Sequence, residues 1–318
     1  MTTQWGVMST ARINAKFLAG VALSHECDVL AVASRDPDRA AQYARENGIE
    51  RSYGSYEQLL DDPDVEAVYI SLPNSMHLEW SQRALRAGKH VLCEKPLSRR
   101  AAEVEAAFDV AQSADRLLME AFMWRHNPQT RRLVELVQAG SIGRLRLIRA
   151  AFSFPIGADD AANVRLSAQL GGGALMDVGC YCVSAARLLA GEPGAVSGQQ
   201  LIGGDGVDIA FAGAMRFDAD VLAHFDAGLE LAPRDELEVV GDEASLFLDD
   251  PWHCHEPVIE LRRDGTVERI ELEAADSYRL EAENLSAAIR GRAQPLLGRA
   301  DAVGQARVIE ALYAHAER

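Results

Sequence analysis

The stretch His90-Val-Leu-Cys-Glu94-Lys95-Pro96 sets a lysine between an apolar run and a proline. Most lysines are solvated surface charges. One that follows a buried strand lies at the strand's C-terminal end, the edge along which open α/β sheets bind ligands. Half buried beside a cationic ligand, its ammonium pKa would fall, which suits proton-transfer chemistry. A second concentration of chemistry is GGGALMDVGCYCVSAARLL, residues 171 to 189. Gly171 to Gly173 suit a loop that approaches another backbone closely. If the following residues are helical, Asp177 and Tyr181 are i, i+4 neighbours on one face. An acid and a phenol facing the same way can bind hydroxyls and pass a proton. From spacing alone, the ordinary reading prevails: Asp177 caps something local and Tyr181 is a core aromatic.

A third stretch, WGVMSTARIN (residues 5 to 14), reads as a strand running into a helix, where a dinucleotide-binding unit carries its glycine-rich turn. The glycine positions of G-x-G-x-x-G hold Ser9, Ala11 and Asn14. Ser9 and Ala11 are small enough for close approach, Ser9 and Thr10 add hydroxyl donors, and Arg12, followed by Ile13, adds positive charge at the mouth. What is lost is backbone freedom at positive φ. A phosphate-binding turn and an ordinary strand-to-helix turn both remain open on this stretch alone. The second strand, VLAVAS, ends in Ser34-Arg35 rather than in the acid that holds a ribose 2′-hydroxyl in NAD sites. Serine and arginine suit a 2′-phosphate, so NADP is favoured, with NAD still possible. The competing reading makes Arg35 a solvated charge and gives the ribose to Asp36.

Elements must position these residues. The first 120 residues alternate short apolar runs (QWGVMS, VLAVAS, VEAVYISL, HVLCEK, RLLMEAF) with helix-like stretches. Strands buried on both faces and separated by helices predict a parallel, doubly wound sheet. After about residue 122 the pattern changes. One helix (PQTRRLVELVQAG), a long strand (RLRLIRAAFSFP) and the glycine run precede alternating apolar-polar segments between residues 195 and 272. Those predict a mostly antiparallel open sheet with one covered face. Two helices, about 277–290 and 300–315, close the chain. The expected fold is α/β: a Rossmann-type domain over 1–122 and an α+β substrate and oligomerisation domain over 123–318.

Bulk properties narrow the classes. With 48 acidic against 32 basic residues the chain carries a net charge of −16, which disfavours nucleic acid and anionic membranes as partners. No signal peptide is evident, and no apolar run is read as reaching the ~18 residues of a membrane span. Five cysteines without a C-x-x-C pair suit a reducing cytoplasm. His253 and His255 would share a face of a strand, but a metal site needs further ligands that the sequence does not identify, so none is expected.

The Rossmann-like start, SLPNSMH (71–77), CEKP and GGGALMDVGCY, in this order over nearly the whole chain, resemble the glucose-fructose oxidoreductase and inositol dehydrogenase family (Gfo/Idh/MocA). Tyr181 in DVGCYC and the segment MEAFMWRHNPQ (119–129) are similar to its branch of dimeric dihydrodiol dehydrogenases and NADP-dependent D-xylose dehydrogenases. The resemblance implies hydride transfer between a nicotinamide cofactor and a sugar, polyol or related carbonyl or diol compound, in a homodimer. It implies that Lys95 and Tyr181 are catalytic, with Asp177 orienting a neighbouring hydroxyl or holding Lys95. Leu72, Pro73, Asn74, His77, Glu94, Trp124 and Arg125 fall on its cofactor side, and Arg165 is a further candidate for substrate contact. Two rivals share the fold: a glycosidase that uses bound NAD transiently, and a non-enzymatic dinucleotide-binding regulator.

Overall fold

The computed structural model describes residues 2–157, 160 and 163–317. Contacts divide the chain into two compact units, Met1–Met123 with Asp276–Val303, and Trp124–Ala275 with Gly304–Arg318.

The first unit is built on six parallel strands: β1 (Thr3–Met8), β2 (Cys27–Ala33), β3 (Arg51–Tyr53), β4 (Ala67–Ile70), β5 (His90–Glu94) and β6 (Leu118–Ala121), in the order β3-β2-β1-β4-β5-β6. This is the dinucleotide-binding order, whose direction reverses between β1 and β4 and opens a crevice at the strands' C-terminal ends. The apolar runs read as strands are these strands, and β4 and β6 are buried throughout. Five helices connect them: α1 (Asn14–Ala22), α2 (Pro37–Asn47), α3 (Tyr56–Asp61), α4 (His77–Arg86) and α5 (Ala101–Ser113). Strand β3 and helix α3 are not legible as apolar periods. Polar bonds hold β3 instead, with Arg51 and Tyr53 both bonded to the buried carboxylate of Asp62.

The sequence reading kept all of 123–318 together. The structure gives Asp276–Val303 to the first unit, because helix α8 (Ser277–Ile289) lies against α1. A Cβ on Gly20 of α1 would stand 2.6 Å from the backbone nitrogen of Arg279 and 2.7 Å from Asp276 Oδ1, so only glycine admits this approach. Trp5 Nε1 donates to Ser286 Oγ (3.3 Å), and Arg290 pairs with Glu66 (2.7 Å).

In the second unit eight strands form one sheet: β7 (Leu145–Ser153), β8 (Ala195–Ile202), β9 (Asp208–Arg216), β10 (Leu222–Gly228), β11 (Arg234–Gly241), β12 (Ser245–Leu248), β13 (Val258–Arg263) and β14 (Thr266–Glu271), in the order β14-β13-β12-β11-β7-β10-β9-β8. Every described pairing is antiparallel except β7–β10. Along β9, Phe211, Gly213 and Met215 are buried while Ala212, Ala214 and Arg216 are exposed, the alternation of a sheet covered on one face. Helices α6 (Pro128–Gln138) and α7 (Cys180–Ala190) belong to this unit, and α9 (Arg299–Ala316) runs from the first unit's residues into the second's. The expectation that no apolar segment reaches membrane-spanning length is corrected here. Ala168–Ala190 has the length and composition, but 78% of its apolar window is buried inside the fold, as in a core helix.

Candidate active site

The first turn keeps its shape without glycine. Ser9 takes a φ of +128°, a conformation that favours glycine. Three side chains hold it there. Ser9 Oγ sits 2.8 Å from Ser71 Oγ and accepts from the Ala11 N–H (3.1 Å). Asn14, fully buried, donates from Nδ2 to the Ser9 carbonyl (2.9 Å) and accepts the Ser71 hydroxyl at Oδ1 (2.6 Å). Asn14 is therefore the strut of the turn, and the place where helix and strand come closest is polar rather than bare. No side chain caps α1, and among the described residues the N–H groups of Thr10 and Ile13 have no acceptor. Exposed donors at a helix N-terminus fit a pyrophosphate. Thr10, Ala11 and Ile13 are half-buried around this mouth and Arg12 is exposed.

At the end of β2, Ser34 is buried and Arg35 is exposed. Asp36, the alternative ribose ligand, is the N-cap of α2, with Oδ1 accepting from Asp38 N–H (3.0 Å) and Arg39 N–H (3.2 Å). Arg35 and Arg39 both act on Tyr56, lowering its phenol pKa against the burial that dominates and raises it. Arg39 was not singled out in the sequence. One helical turn past Arg35, it adds a second cation to the same corner.

After β4 the chain turns through Leu72, buried, and Pro73 and Asn74, half-buried. His77, buried at the start of α4, places Nδ1 2.9 Å from the Pro96 carbonyl and Nε2 2.8 Å from the Leu72 carbonyl. Burial, with a smaller push from Lys95, holds its pKa below the usual value. As a neutral ring it carries one N–H, which goes to one of these carbonyls. On the other side Glu120 Oε1 accepts the Leu97 N–H (2.8 Å). The segment carrying Lys95 is thus pinned from both flanks. Lys95 itself is half-buried at the end of β5, before a cis peptide to Pro96. Glu94 accepts the hydroxyl of Tyr69 on the neighbouring strand β4.

In the second unit the stretch with Asp177 and Tyr181 is helical, as their shared face requires, but Leu175–Gly179 is wound as a π turn before α7 begins. Such turns widen a helix locally and occur often at functional sites. Its start is fixed by Asp208, which the sequence did not reveal: the buried carboxylate accepts the Leu175 N–H (2.7 Å) and the Tyr313 hydroxyl (2.8 Å). The glycine run makes the expected close approach, since a Cβ on Gly172 would stand 2.2 Å from the Arg165 carbonyl oxygen. That contact brings Arg165 to Asp177, Nε to Oδ2 at 2.6 Å. These two candidates are joined by the fold.

Tyr181 is 7% exposed, its ring edge-on to Phe152 (5.2 Å) and tilted against Trp252 (5.9 Å). Trp124 lies in the same cluster, edge-on to Trp252 at 5.2 Å and 1% exposed. Its buried indole N–H has no partner among the described residues. Arg125, also buried, donates to Ser184 Oγ (3.1 Å) beside it. Phe152 and Trp252 carried no sequence signal as site residues, because their register against Tyr181 is set by the sheet.

A parallel sheet in dinucleotide order, with an uncapped first helix and a lysine at the end of β5, defines a nicotinamide-cofactor oxidoreductase unit. A family model described as an oxidoreductase family with an NAD-binding Rossmann fold matches residues 4–122, and one for the GFO/IDH/MocA C-terminal domain matches 130–247. D-xylose 1-dehydrogenase (NADP(+)) 2 of Haloferax volcanii is 39% identical, over 98% of this chain and 97% of that protein. The 3-ketoreductase KijD10 of Actinomadura kijaniata, solved with NADP and TDP-benzene, superposes with a TM-score of 0.93 at 32% identity, covering 99% and 98% of the two chains. An aldose-aldose oxidoreductase of Caulobacter crescentus, solved with glycerol, gives 0.92 at 27% identity, covering 100% and 98%. The chain belongs to the Gfo/Idh/MocA family and is an NAD(P)-dependent oxidoreductase.

Proposed function

We propose that this enzyme is an NADP-dependent dehydrogenase or reductase of a sugar, with an aldose as the substrate class. The observation that carries the cofactor choice is the capping of α2 by Asp36. Its Oδ1 accepts two backbone N–H groups, which holds the carboxylate at the helix end, and Ser34, Arg35 and Arg39 are the set that suits a phosphate at the 2′ position. The NADP-linked sugar enzymes among the relatives support the same reading. The first unit is the cofactor domain. Thr10 and Ile13 offer backbone N–H groups to the pyrophosphate, with Ser9, Ala11 and Arg12 around them. Leu72, Pro73, Asn74, His77, Glu94, Trp124 and Arg125 serve the cofactor side, and the unpartnered indole N–H of Trp124 is a donor available to a ligand acceptor.

When bound, the nicotinamide supplies the hydride acceptor or donor. Tyr181 accepts the proton of the reacting hydroxyl at its phenolate oxygen in the oxidative direction and returns it in the reductive one. Lys95 is the second catalytic group, a cation for the developing alkoxide. Asp177, held by Arg165, orients a neighbouring substrate hydroxyl, and the aromatic ring set around Tyr181 keeps water from the phenol. Each role lost costs about a hundredfold or more in rate. Lys95→Met and Tyr181→Phe are each expected to lose that much NADP-dependent turnover of aldopentoses and aldohexoses, followed by reduced-nicotinamide absorbance. Near-wild-type rates in both variants overturn the assignment. Cofactor-absorbance change without glycoside cleavage also separates this enzyme from a glycosidase of the same fold. The exposed face of the second unit's sheet, small residues flanked by Leu201, Ile202 and Leu222, is the surface through which two copies pair. A reducing cytoplasm is the proposed location, and five free cysteines support it.

A further inference from the structure

We propose that Asp250, His253 and His255, with Asp235 beside them, form a binding site for one divalent transition-metal ion of the zinc type. All four lie in the second unit, Asp235 on β11 and the others in the turn between β12 and β13. The two histidines share a side although the segment is no strand. Cys254 between them turns the chain at φ +55°, and the rings stack at 5.3 Å with an interplanar angle of 11°. Asp250 builds this turn from below. Its Oδ1 accepts the N–H groups of His253 (3.2 Å) and Cys254 (3.1 Å), and its Oδ2 accepts that of His255 (2.5 Å).

Both rings then aim their Nδ1 atoms back at carboxylates. His255 Nδ1 is 3.3 Å from Asp250 Oδ2, and His253 Nδ1 is 3.7 Å from Asp250 Oδ1. The ligand atoms of Asp250, His253 and His255 lie within 4.8 Å of one another. Nitrogen and oxygen donors at zinc bond lengths stand about 3.4 Å apart along a tetrahedral edge, so these spacings need only small adjustments. Asp235 Oδ2, 2.6 Å from His253 Nδ1, stands beside this group as a second carboxylate. Among the described residues neither carboxylate is paired with a lysine or arginine. Two carboxylates and two neutral imidazoles balance the charge of a divalent cation, and this mixed nitrogen and oxygen set favours zinc-like ions over calcium or magnesium.

The ion has a structural consequence within this unit. His253 stands edge-on to Phe152 (5.6 Å), and Phe152 is edge-on to Tyr181. An ion that fixes this turn therefore stiffens the wall behind Tyr181. The test uses the untagged, chelator-treated full chain. Zinc is titrated by calorimetry and cobalt by visible absorption, on wild type, His253→Ala and His255→Ala. His255 is 72% exposed in its side chain, so its loss leaves the fold intact. The expected result is one ion per chain with a tetrahedral cobalt spectrum, at least tenfold weaker binding in each variant, and a zinc-induced rise in Tm present only in wild type. No stoichiometric binding, or equal affinity in wild type and both variants, overturns the site. Binding is read without turnover, so its failure leaves the proposed reaction untouched.

Discussion

Asn14 shows how a residue that spoils a motif can sustain its geometry. The turn after β1 keeps a positive-φ position with serine, a conformation that costs a non-glycine residue about 1–3 kcal/mol. Asn14 and Ser71 offset that cost with buried bonds to Ser9. Asn14→Ala leaves the buried Ser9 carbonyl without its partner and costs the Ser71 hydroxyl one of its two bonds. At about 1–3 kcal/mol for each unsatisfied buried group, it should lower Tm by several degrees and weaken NADP binding. An unchanged Tm would mean that the strut carries nothing. Arg35 tests the cofactor choice at the same scale. A charged hydrogen bond is worth about 1.5–3 kcal/mol, so Arg35→Ala should raise KM for NADP tenfold or more and leave KM for NAD nearly unchanged. Equal effects on the two cofactors would return Arg35 to the role of a solvated charge. Ser34 and Arg35 were legible in the sequence because they directly follow a strand. Arg39 was not, because its nearness to Arg35 exists only once α2 is wound.

Elements are where reading and structure part. The apolar runs of the first unit identify five of its six strands, since strands buried on both faces must be continuously apolar. Strand β3, three residues held by polar bonds to Asp62, has no such mark. In the second unit a helix through Asp177 and Tyr181 was legible only as the condition for their i, i+4 spacing. The π turn at its start was not, because it depends on Asp208 and Tyr313, which are remote in sequence. The packing of α8 on α1 hangs on a single absent side chain. Alanine favours a helix over glycine by about 1 kcal/mol, but a methyl on Gly20 would meet backbone of α8 at 2.6 Å. Backbone cannot rotate away, so overpacking of about 1–3 kcal/mol prevails. Gly20→Ala should lower the urea midpoint, and a raised midpoint would show that α8 is free to shift.

For the molecule as a whole, buried histidines set an acid limit. Burial, with Arg116 nearby, pushes His90 down to about 4, and its Nδ1 accepts the Leu117 N–H as only a neutral ring can. Burial, with Arg125 and Arg131, pushes His126 down to about 3, and its Nε2 has no partner among the described residues. Between these values and 6.5 the unfolded chain binds more protons than the folded one. The stabilisation is therefore complete above about pH 6.5 and is lost as pH falls, by up to about 1.4 kcal/mol per pH unit for each ring. Tm should drop between pH 7 and pH 5. His126→Phe should flatten that slope by about one histidine's share, and an unchanged slope would remove His126 from the account.

By itself the sequence determined the two-part α/β architecture and the family, and it supplied the residues at strand and helix ends proposed to carry its chemistry. These follow from local periodicity and from motifs a few residues long. Only the tertiary structure decided that Asn14 braces a turn without glycine, that Asp36 is a cap, that Arg165 holds Asp177, and that α8 belongs with the first unit. It also decided that His253 and His255 meet two aspartates. Each of these depends on contacts between residues far apart in the chain, and local pattern carries no record of which distant backbone a buried side chain will meet.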